Sequence, residues 1–290
     1  MVPMQRFLPR VRRRKGERAR SVATGPGRQE ACENYVRSST WIDVSGLAEY
    51  TASVKIHVLT ANLWGLPWPV SNDRVGRKAR FAALLARIRP DVVGLQEVWW
   101  PWRARFPGVP LHVPLSWRDA GLAISGSLAS DSRVDLVPFR HHRGADRLKR
   151  KGILHSVIRV GDVDLSVVVT HLQAGRRHAA IRFRQASALR ALIERIKEPV
   201  LCMGDFNFYG ADDGRSAELL VAAGLRDAAL TTGSALPTFW SGDTAERFDR
   251  IYVRDGNSTS IAVQSLTVLS GQRNPWSDHA PVSAFLEVSD

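Results

Sequence analysis

Residues 199–210 read PVLCMGDFNFYG, and this stretch decides the fold. Val200, Leu201, Cys202 and Met203 form a short apolar run of the length of a buried strand. Side chains alternate faces along a strand, so Leu201, Met203, Asp205 and Asn207 point the same way. An apolar face that runs into a carboxylate and an amide needs a reason, because a buried, unpaired carboxylate is costly. Either these groups cap a turn or they serve a site.

The same design recurs along the chain. In VKIHVLTAN (54–62), Ile56, Val58 and Thr60 share a face with Asn62. In DVVGLQE (91–97), alternation puts Val93 and Leu95 on a face with Glu97. In VDLSVVVTH (163–171), Leu165, Val167 and Val169 lead to His171. In FDRIYV (248–253), Asp249 shares a face with Ile251 and Val253, and Asp278-His279 precedes the strand pattern APVSAFLEV. One polar group at a strand end is ordinary capping. Several strands that each end in Asn, Glu, Asp or His imply a shared site.

Around these strands the pattern is mixed. Ser71 or Asn72 is placed to cap a helix over 73–89, with Phe81, Leu84, Leu85 and Ile88 at helical spacing. Strands are expected at 120–125 and near 134–139, then a basic loop at 140–151. Residues 153–160 and 163–170 flank Gly161-Asp162 and read as a hairpin. A second helix over 177–197 turns Leu189, Leu192, Ile193 and Ile196 inward and Arg182, Arg190 and Arg195 outward. A short helix near 214–223 precedes strands near 249–254, 261–269 and 280–288. No repeat or linker follows residue 54, so 54–290 reads as one α/β domain with sheets packed together and helices outside.

The 290 residues are 44% hydrophobic, enough for a sizeable core. No apolar run approaches the roughly 18 residues of a membrane span. Two cysteines, Cys32 and Cys202, give no disulfide framework. The net charge of +13 favours anionic partners: nucleic acid, phosphate esters or acidic lipid surfaces. Residues 1–54 hold ten Lys/Arg against five Asp/Glu and lack periodic apolar residues, so 1–53 reads as a basic, disordered tail. No apolar segment of the export type follows Arg12-Arg13-Arg14-Lys15, and the default expectation is a soluble, cytoplasmic protein.

Carboxylates and an amide at strand ends suit a magnesium-type ion, which prefers oxygen ligands. Histidines suit proton transfer and phosphate stabilisation. There is no cysteine cluster for structural zinc and no Walker-type phosphate loop. The motifs NLW (62–64), LQEVW (95–99), VTHLQAG (169–175), MGDFN (203–207), FDRIYV (248–253) and SDHAPV (277–282) resemble, in order, those of the endonuclease/exonuclease/phosphatase superfamily. The resemblance spans about residues 54–288 and implies a four-layer α/β/β/α sandwich, as in deoxyribonuclease I.

That resemblance implies roles residue by residue. Glu97 is the principal ligand of a divalent metal (Mg2+, or Mn2+ or another divalent cation in its place), with Asn62 beside it and Asp278 in support. Asp205 orients or deprotonates the attacking water, and Asn207 holds a phosphate oxygen. His279 contacts the scissile phosphate, with Asp249 fixing its tautomer, and His171 stabilises or protonates the leaving oxygen. The implied chemistry is in-line attack of water on a phosphodiester.

Apurinic endonucleases carry an acid where this chain has Trp64, and a tyrosine motif in place of THLQAG. The sequence is most similar to neutral sphingomyelinase-like members, which favours a phospholipid substrate. A nuclease of the deoxyribonuclease I type and a non-catalytic scaffold for an anionic partner stand as alternatives. Trp64, Trp99 and Arg103 are candidate substrate contacts, the last two in the Trp-rich segment 99–117, which suits a lipid interface or base stacking and equally a loop packed on the sheet edge. Arg143, Arg147, Lys149, Arg150 and Lys151 form a basic patch of the kind that is usually solvated surface. No obligate protein partner is implied.

Overall fold

The strand that ends in Asp205 lies at the centre of a six-stranded sheet, and every residue of it is buried. The computed structural model describes residues 53–66, 69–99, 120–129, 133–144, 146–269 and 275–290. Residues 1–52 of the expected tail, Arg103 and most of the Trp-rich segment lie outside the described residues, and Ser53, placed in the tail, opens the first strand. In chain order the first elements are β1 (Ser53–Asn62), α1 (Arg74–Ile88), β2 (Val92–Gln96), β3 (Ala123–Ser125), β4 (Val134–Pro138) and α2 (Asp146–Lys149). Then follow β5 (Gly152–Val160), β6 (Val163–His171), α3 (Ala179–Ile193), β7 (Val200–Asp205), α4 (Gly214–Ala222), β8 (Arg226–Asp227) and α5 (Ala228–Thr231). The last are β9 (Phe239–Ser241), β10 (Thr244–Glu246), β11 (Asp249–Arg254), β12 (Ser260–Val268) and β13 (Val282–Ser289).

One sheet has the order β12-β13-β1-β2-β3 and the other β4-β5-β6-β7-β11-β8. Their facing sides bury one core, with Ile56 and Val58 from β1 and Leu165, Val167, Leu201, Met203 and Ile251 from the second sheet. On the outer face of the first sheet, Phe81, Leu84 and Leu85 of α1 pack on Leu59, Val93 and Leu95. On the outer face of the second, Leu189 and Ile193 of α3 and Leu220 of α4 pack on Val168, Val200 and Cys202. The result is the expected four-layer α/β/β/α sandwich, because the central strands β1, β2, β6 and β7 are buried on both faces and each long helix buries one apolar stripe.

Each sheet holds one parallel pair made by a helical crossover: β1-α1-β2 and β6-α3-β7. Parallel partners end on the same side, so the C-terminal ends of four strands converge at one edge of the sandwich. Register sharpens this in the second sheet, where His171 lies opposite Asp205 and Asp205 opposite Asp249. Gly204 makes that close approach possible: its φ is +150° and a Cβ there would sit 2.0 Å from the Thr170 carbonyl oxygen of β6.

Three local expectations are corrected. The cap of α1 is Asp73, whose carboxylate accepts from the Gly76 N–H at 3.2 Å, and neither Ser71 nor Asn72 takes that place. Arg182 does not face outward; it is fully buried and forms a fork of two 2.8 Å hydrogen bonds to Asp213. Lys151 leaves the basic surface patch and is fully buried. The small strands β8, β9 and β10 and the short helices α2 and α5 have no clear periodicity in the sequence. Among the described residues no helix is long and apolar enough to cross a membrane.

Candidate active site

Asp205 is the hub. Its Oδ1 accepts the Asn207 backbone N–H at 2.9 Å, a local turn that begins as soon as β7 ends. Its Oδ2 accepts from the Asn62 side-chain amide at 3.0 Å, which ties the two sheets together. His171 Nε2 stands 3.2 Å from the same oxygen and His279 Nε2 3.9 Å. Burial alone would raise the Asp205 carboxyl, but its neighbours His171, His279 and Lys151 outweigh that and hold it below the usual carboxylate range. Asn207, in the left-handed region at φ +49°, donates its amide to the Leu172 carbonyl at 3.3 Å.

His279 is backed by acid. Its Nδ1 lies 2.8 Å from Asp249 Oδ2, and the Thr238 hydroxyl reaches that same oxygen at 2.7 Å. The Thr238 oxygen also accepts two backbone N–H groups, from Phe248 at 3.1 Å and Asp249 at 3.0 Å. With its acceptor sites filled, the single hydroxyl proton points at Asp249. Asp249 Oδ2 is therefore an acceptor, the Nδ1 of His279 carries its proton, and Nε2 faces Asp205. Burial alone would lower the His279 pKa; Asp249 and Asp205 reverse the sign and push it up to about 10.

His171 is met by Lys151 at Nε2, and its Nδ1 is buried without a hydrogen-bond partner among the described residues. The Lys151 amine has three partners, His171 Nε2 at 2.8 Å, the Leu172 carbonyl at 2.7 Å and Asp146 Oδ2 at 3.0 Å. An ammonium has three protons to donate, one for each. Arg182 steadies the loop after His171 by donating to the carbonyls of Gln173 at 3.1 Å and Gly175 at 2.7 Å. Lys151, Asp146, Thr238 and Arg182 are site-supporting residues that the sequence reading missed. Only the Thr238-Phe239 pair and the Lys151-Gly152 strand start hint at them, and neither hint is specific.

Glu97 reaches this edge by an unexpected route. Val93 and Leu95 face α1, and the face of β2 toward the second sheet carries Val92, Gly94 and Gln96. Glu97 follows the strand at φ +58°, and this left-handed step ends the alternation. The residue is buried, and its Oε2 has no hydrogen-bond partner among the described residues. Asp278 lies within its field: burial raises the Asp278 carboxyl, and after His279 opposes that rise the Glu97 charge adds to it. An orphaned carboxylate oxygen near a second carboxylate is the donor set a hard divalent cation takes. Asp205, Asp249 and His279 also bring one ligand-type atom each within 4.8 Å of one another. Within that group His279 Nδ1 and Asp249 Oδ2 are paired at 2.8 Å, while Asp249 Oδ1, like Glu97 Oε2, is buried without a hydrogen-bond partner among the described residues.

The structure brings together Asn62, His171, Asp205, Asn207, Asp249 and His279, with Glu97 and Asp278 beside them. Trp64 has another occupation: its ring lies 5.0 Å from the Arg77 guanidinium, which binds the carbonyls of Leu63 and Trp64. Trp99 packs on Gly121, 5.8 Å from the Lys149 amine, and its indole nitrogen is buried without a partner. Arg103 lies outside the described residues.

Residues 59–279 match the model of the Endonuclease/Exonuclease/phosphatase family. None of the curated proteins compared matches the sequence. Among solved structures, TDP2 of D. rerio in complex with a single-strand DNA product is 18% identical, with a TM-score of 0.64 over 80% of this chain and 98% of that one. Sphingomyelinase C of Streptomyces griseocarneus is 21% identical, with a TM-score of 0.59 over 80% of this chain and 99% of that one. Beta toxin of Staphylococcus aureus is 17% identical, with a TM-score of 0.59 over 79% and 99%. At these identities the likeness is one of fold.

Proposed function

The chain belongs to the Endonuclease/Exonuclease/phosphatase family, whose members are phosphoesterase hydrolases, and from that premise we propose that it is a divalent-metal-dependent phosphodiesterase. The observation that carries the proposal is the orphaned, buried Oε2 of Glu97, together with the hydrogen-bonded His279–Asp249 pair, in which the His279 Nε2 stands 3.9 Å from Asp205. Glu97, with Asn62 and Asp278 in support, would hold Mg2+ or a similar divalent cation. When bound, such an ion supplies Lewis-acid polarisation of a phosphoryl oxygen and lowers the pKa of a water it holds.

The chain's own groups divide the remaining work. A carboxyl held below the usual range is a poor base but a good acceptor, so Asp205 orients the attacking water and does not take its proton. His279, protonated through neutral pH, donates from Nε2 to a phosphoryl oxygen and offsets the charge that builds there. Asn207 presents an amide beside Asp205 for a second phosphate oxygen. The Lys151–His171 pair places positive charge on the other side of Asp205, where the leaving oxygen departs. Both the phospholipid and the nucleic-acid reading belong to this chemistry, and of the Trp-rich segment that suits a lipid interface or base stacking only Trp99 is described.

Bis(p-nitrophenyl) phosphate, a small diester that needs no extended binding surface, tests the reading. Glu97→Gln should lose turnover by orders of magnitude, and calorimetric titration with Mg2+ should show the loss of its site. Full activity with an unchanged response to Mg2+ and EDTA would remove Glu97 from the centre and overturn the assignment.

A further inference from the structure

We infer that Arg77 is the positioning residue of the cation site: its buried guanidinium holds the backbone that carries Asn62, Glu97 and Asp278, and the spacing it fixes sets the affinity of the site for a divalent cation. The inference rests on the reading of those three residues as the metal side of a phosphodiesterase centre.

Arg77 lies in the first turn of α1 and is only 5% exposed. An arginine is rarely so buried unless its donors are satisfied. Its four hydrogen bonds all end on backbone carbonyls: Nε on Asn72 at 2.9 Å, one terminal nitrogen on Leu63 at 2.7 Å and Trp276 at 3.4 Å, and the other on Trp64 at 3.1 Å. None of them ends on a carboxylate. The guanidinium carbon also lies 5.0 Å from the centre of the Trp64 ring, within cation–π range.

Those carbonyls belong to the arms of the site. β1 ends at Asn62, and Trp64 then turns the chain at φ +46°. The Trp64 N–H donates to Asn62 Oδ1 at 2.9 Å, which orients the amide whose nitrogen reaches Asp205. The Leu63 N–H donates at 3.0 Å to the carbonyl of Gln96, the residue before Glu97. Trp276 stands two residues before Asp278, and Arg80, three residues further along α1, holds the Pro275 carbonyl at 2.8 Å. One side chain thereby pins the backbone after β1, which in turn holds the end of β2, and the approach to Asp278. None of its hydrogen bonds reaches the His171 side of the cleft.

The group acts by aim and not by charge. Burial lowers the Arg77 pKa and Arg80 adds to that, while the fields of Asp278, Asp73 and Glu97 oppose it. A positive charge within the field of two prospective cation ligands repels the ion, so charge alone would work against the site. What a guanidinium supplies and an ammonium does not is a planar fork of five donors that grips carbonyls of separate segments at fixed spacing. Groups that orient metal ligands without touching the ion are worth about 10–100-fold in metal affinity.

The test titrates Mg2+ calorimetrically into the full chain as wild type, Arg77→Lys and Arg77→Met. Circular dichroism and urea denaturation report the fold, and turnover of the small diester is followed against Mg2+ concentration. Lysine keeps the charge and loses the fork; methionine keeps an apolar stem and loses both. Both variants should bind Mg2+ about 10–100-fold more weakly, with the Mg2+ needed for half-maximal turnover raised by the same factor. Wild-type affinity in the folded lysine variant would overturn the inference, because charge would then suffice. Tighter binding by the methionine variant would overturn it too, making Arg77 a repelling charge. So would lower urea stability in both variants with unchanged Mg2+ affinity, which would make Arg77 a pin of the fold alone. Should neither variant fold, Arg80→Gln, at an exposed position, frees the Pro275 carbonyl and should weaken Mg2+ binding about threefold, the size of one hydrogen bond; wild-type affinity there would overturn the inference. If the wild type binds Mg2+ but cuts no diester while the variants bind it more weakly, the phosphodiesterase reading fails and the positioning role stands. If the wild type cuts the diester and the variants bind Mg2+ as it does, the role fails and the phosphodiesterase reading stands.

Discussion

Asp205 sits between two histidines that the fold equips in opposite ways. His279 has a carboxylate behind it, Asp249 at 2.8 Å, and that carboxylate is itself held by a threonine hydroxyl. His171 has an ammonium group against it, Lys151 at 2.8 Å, in a pocket sealed from solvent. Asp249 draws a proton onto Nδ1 of His279, whereas Lys151 meets His171 at Nε2, the nitrogen that also stands 3.2 Å from Asp205 Oδ2. Two copies of one side chain at two strand ends thus meet opposite charges at different ring nitrogens, set by residues that contact no substrate.

The largest effect should come from the carboxylate-backed side. His279→Ala should lower turnover of the small diester by about 10²–10⁴-fold with circular dichroism unchanged, the range for a positioned proton donor. A near-wild-type rate would remove it from the chemistry. The protonation claim has its own check: in the metal-free protein the His279 Cε1–H resonance should titrate near 10. A midpoint near the ordinary 6.5 would break the comparison. The sign for stability follows. Because the folded-state pKa is raised, the contribution of His279 is complete below about 6.5 and is lost as the pH climbs through about 10. Asp205 runs the other way, contributing above its unfolded value near 3.9 and losing that contribution only in strong acid.

The ammonium-backed side should respond in stability as much as in rate. Lys151→Met strands the buried Asp146 carboxylate, and breaking a buried pair costs about 3–5 kcal/mol. Urea denaturation should show that loss. Lys151→Met/Asp146→Asn should recover most of the stability and little of the rate. Recovery of both would mean the pair only supports the fold.

Much of this edge was legible because strand alternation is a strict rule inside a sheet. Asn62, His171, Asp205 and Asp249 were placed by it, and register then set the last three in a row. Where the rule stops, the reading stopped too. Glu97 lies one residue past β2 with a positive φ, so its apparent face-mates Val93 and Leu95 face the helix layer. Arg182 was read outward because helical spacing gives a direction but no partner, and Asp213 lies 31 residues further on. Lys151 sat in a run of cations, where composition suggests solvent, and only the end of β6 opposite it supplies the carbonyl and imidazole that hold it.

The smallest effect separates support from catalysis. Thr238→Val keeps the shape, removes the one hydroxyl that donates to Asp249 Oδ2, and takes from the Phe248 and Asp249 N–H groups their Thr238 acceptor. Asp249 keeps its contact with His279, so the carboxylate remains but is less firmly aimed. The expected loss is about tenfold in kcat, the size of one hydrogen bond to a charged group, with KM unchanged because Thr238 is buried and meets no substrate. The downfield Nδ1 proton of His279 should move in the proton spectrum, and Thr238→Ser should restore both signal and rate. A general loosening of the fold would raise KM, broaden many resonances and escape rescue by serine. If valine leaves kcat and the Nδ1 signal as they were, the carboxylate alone aims His279, and the asymmetry between the two histidines reduces to the single charge behind each.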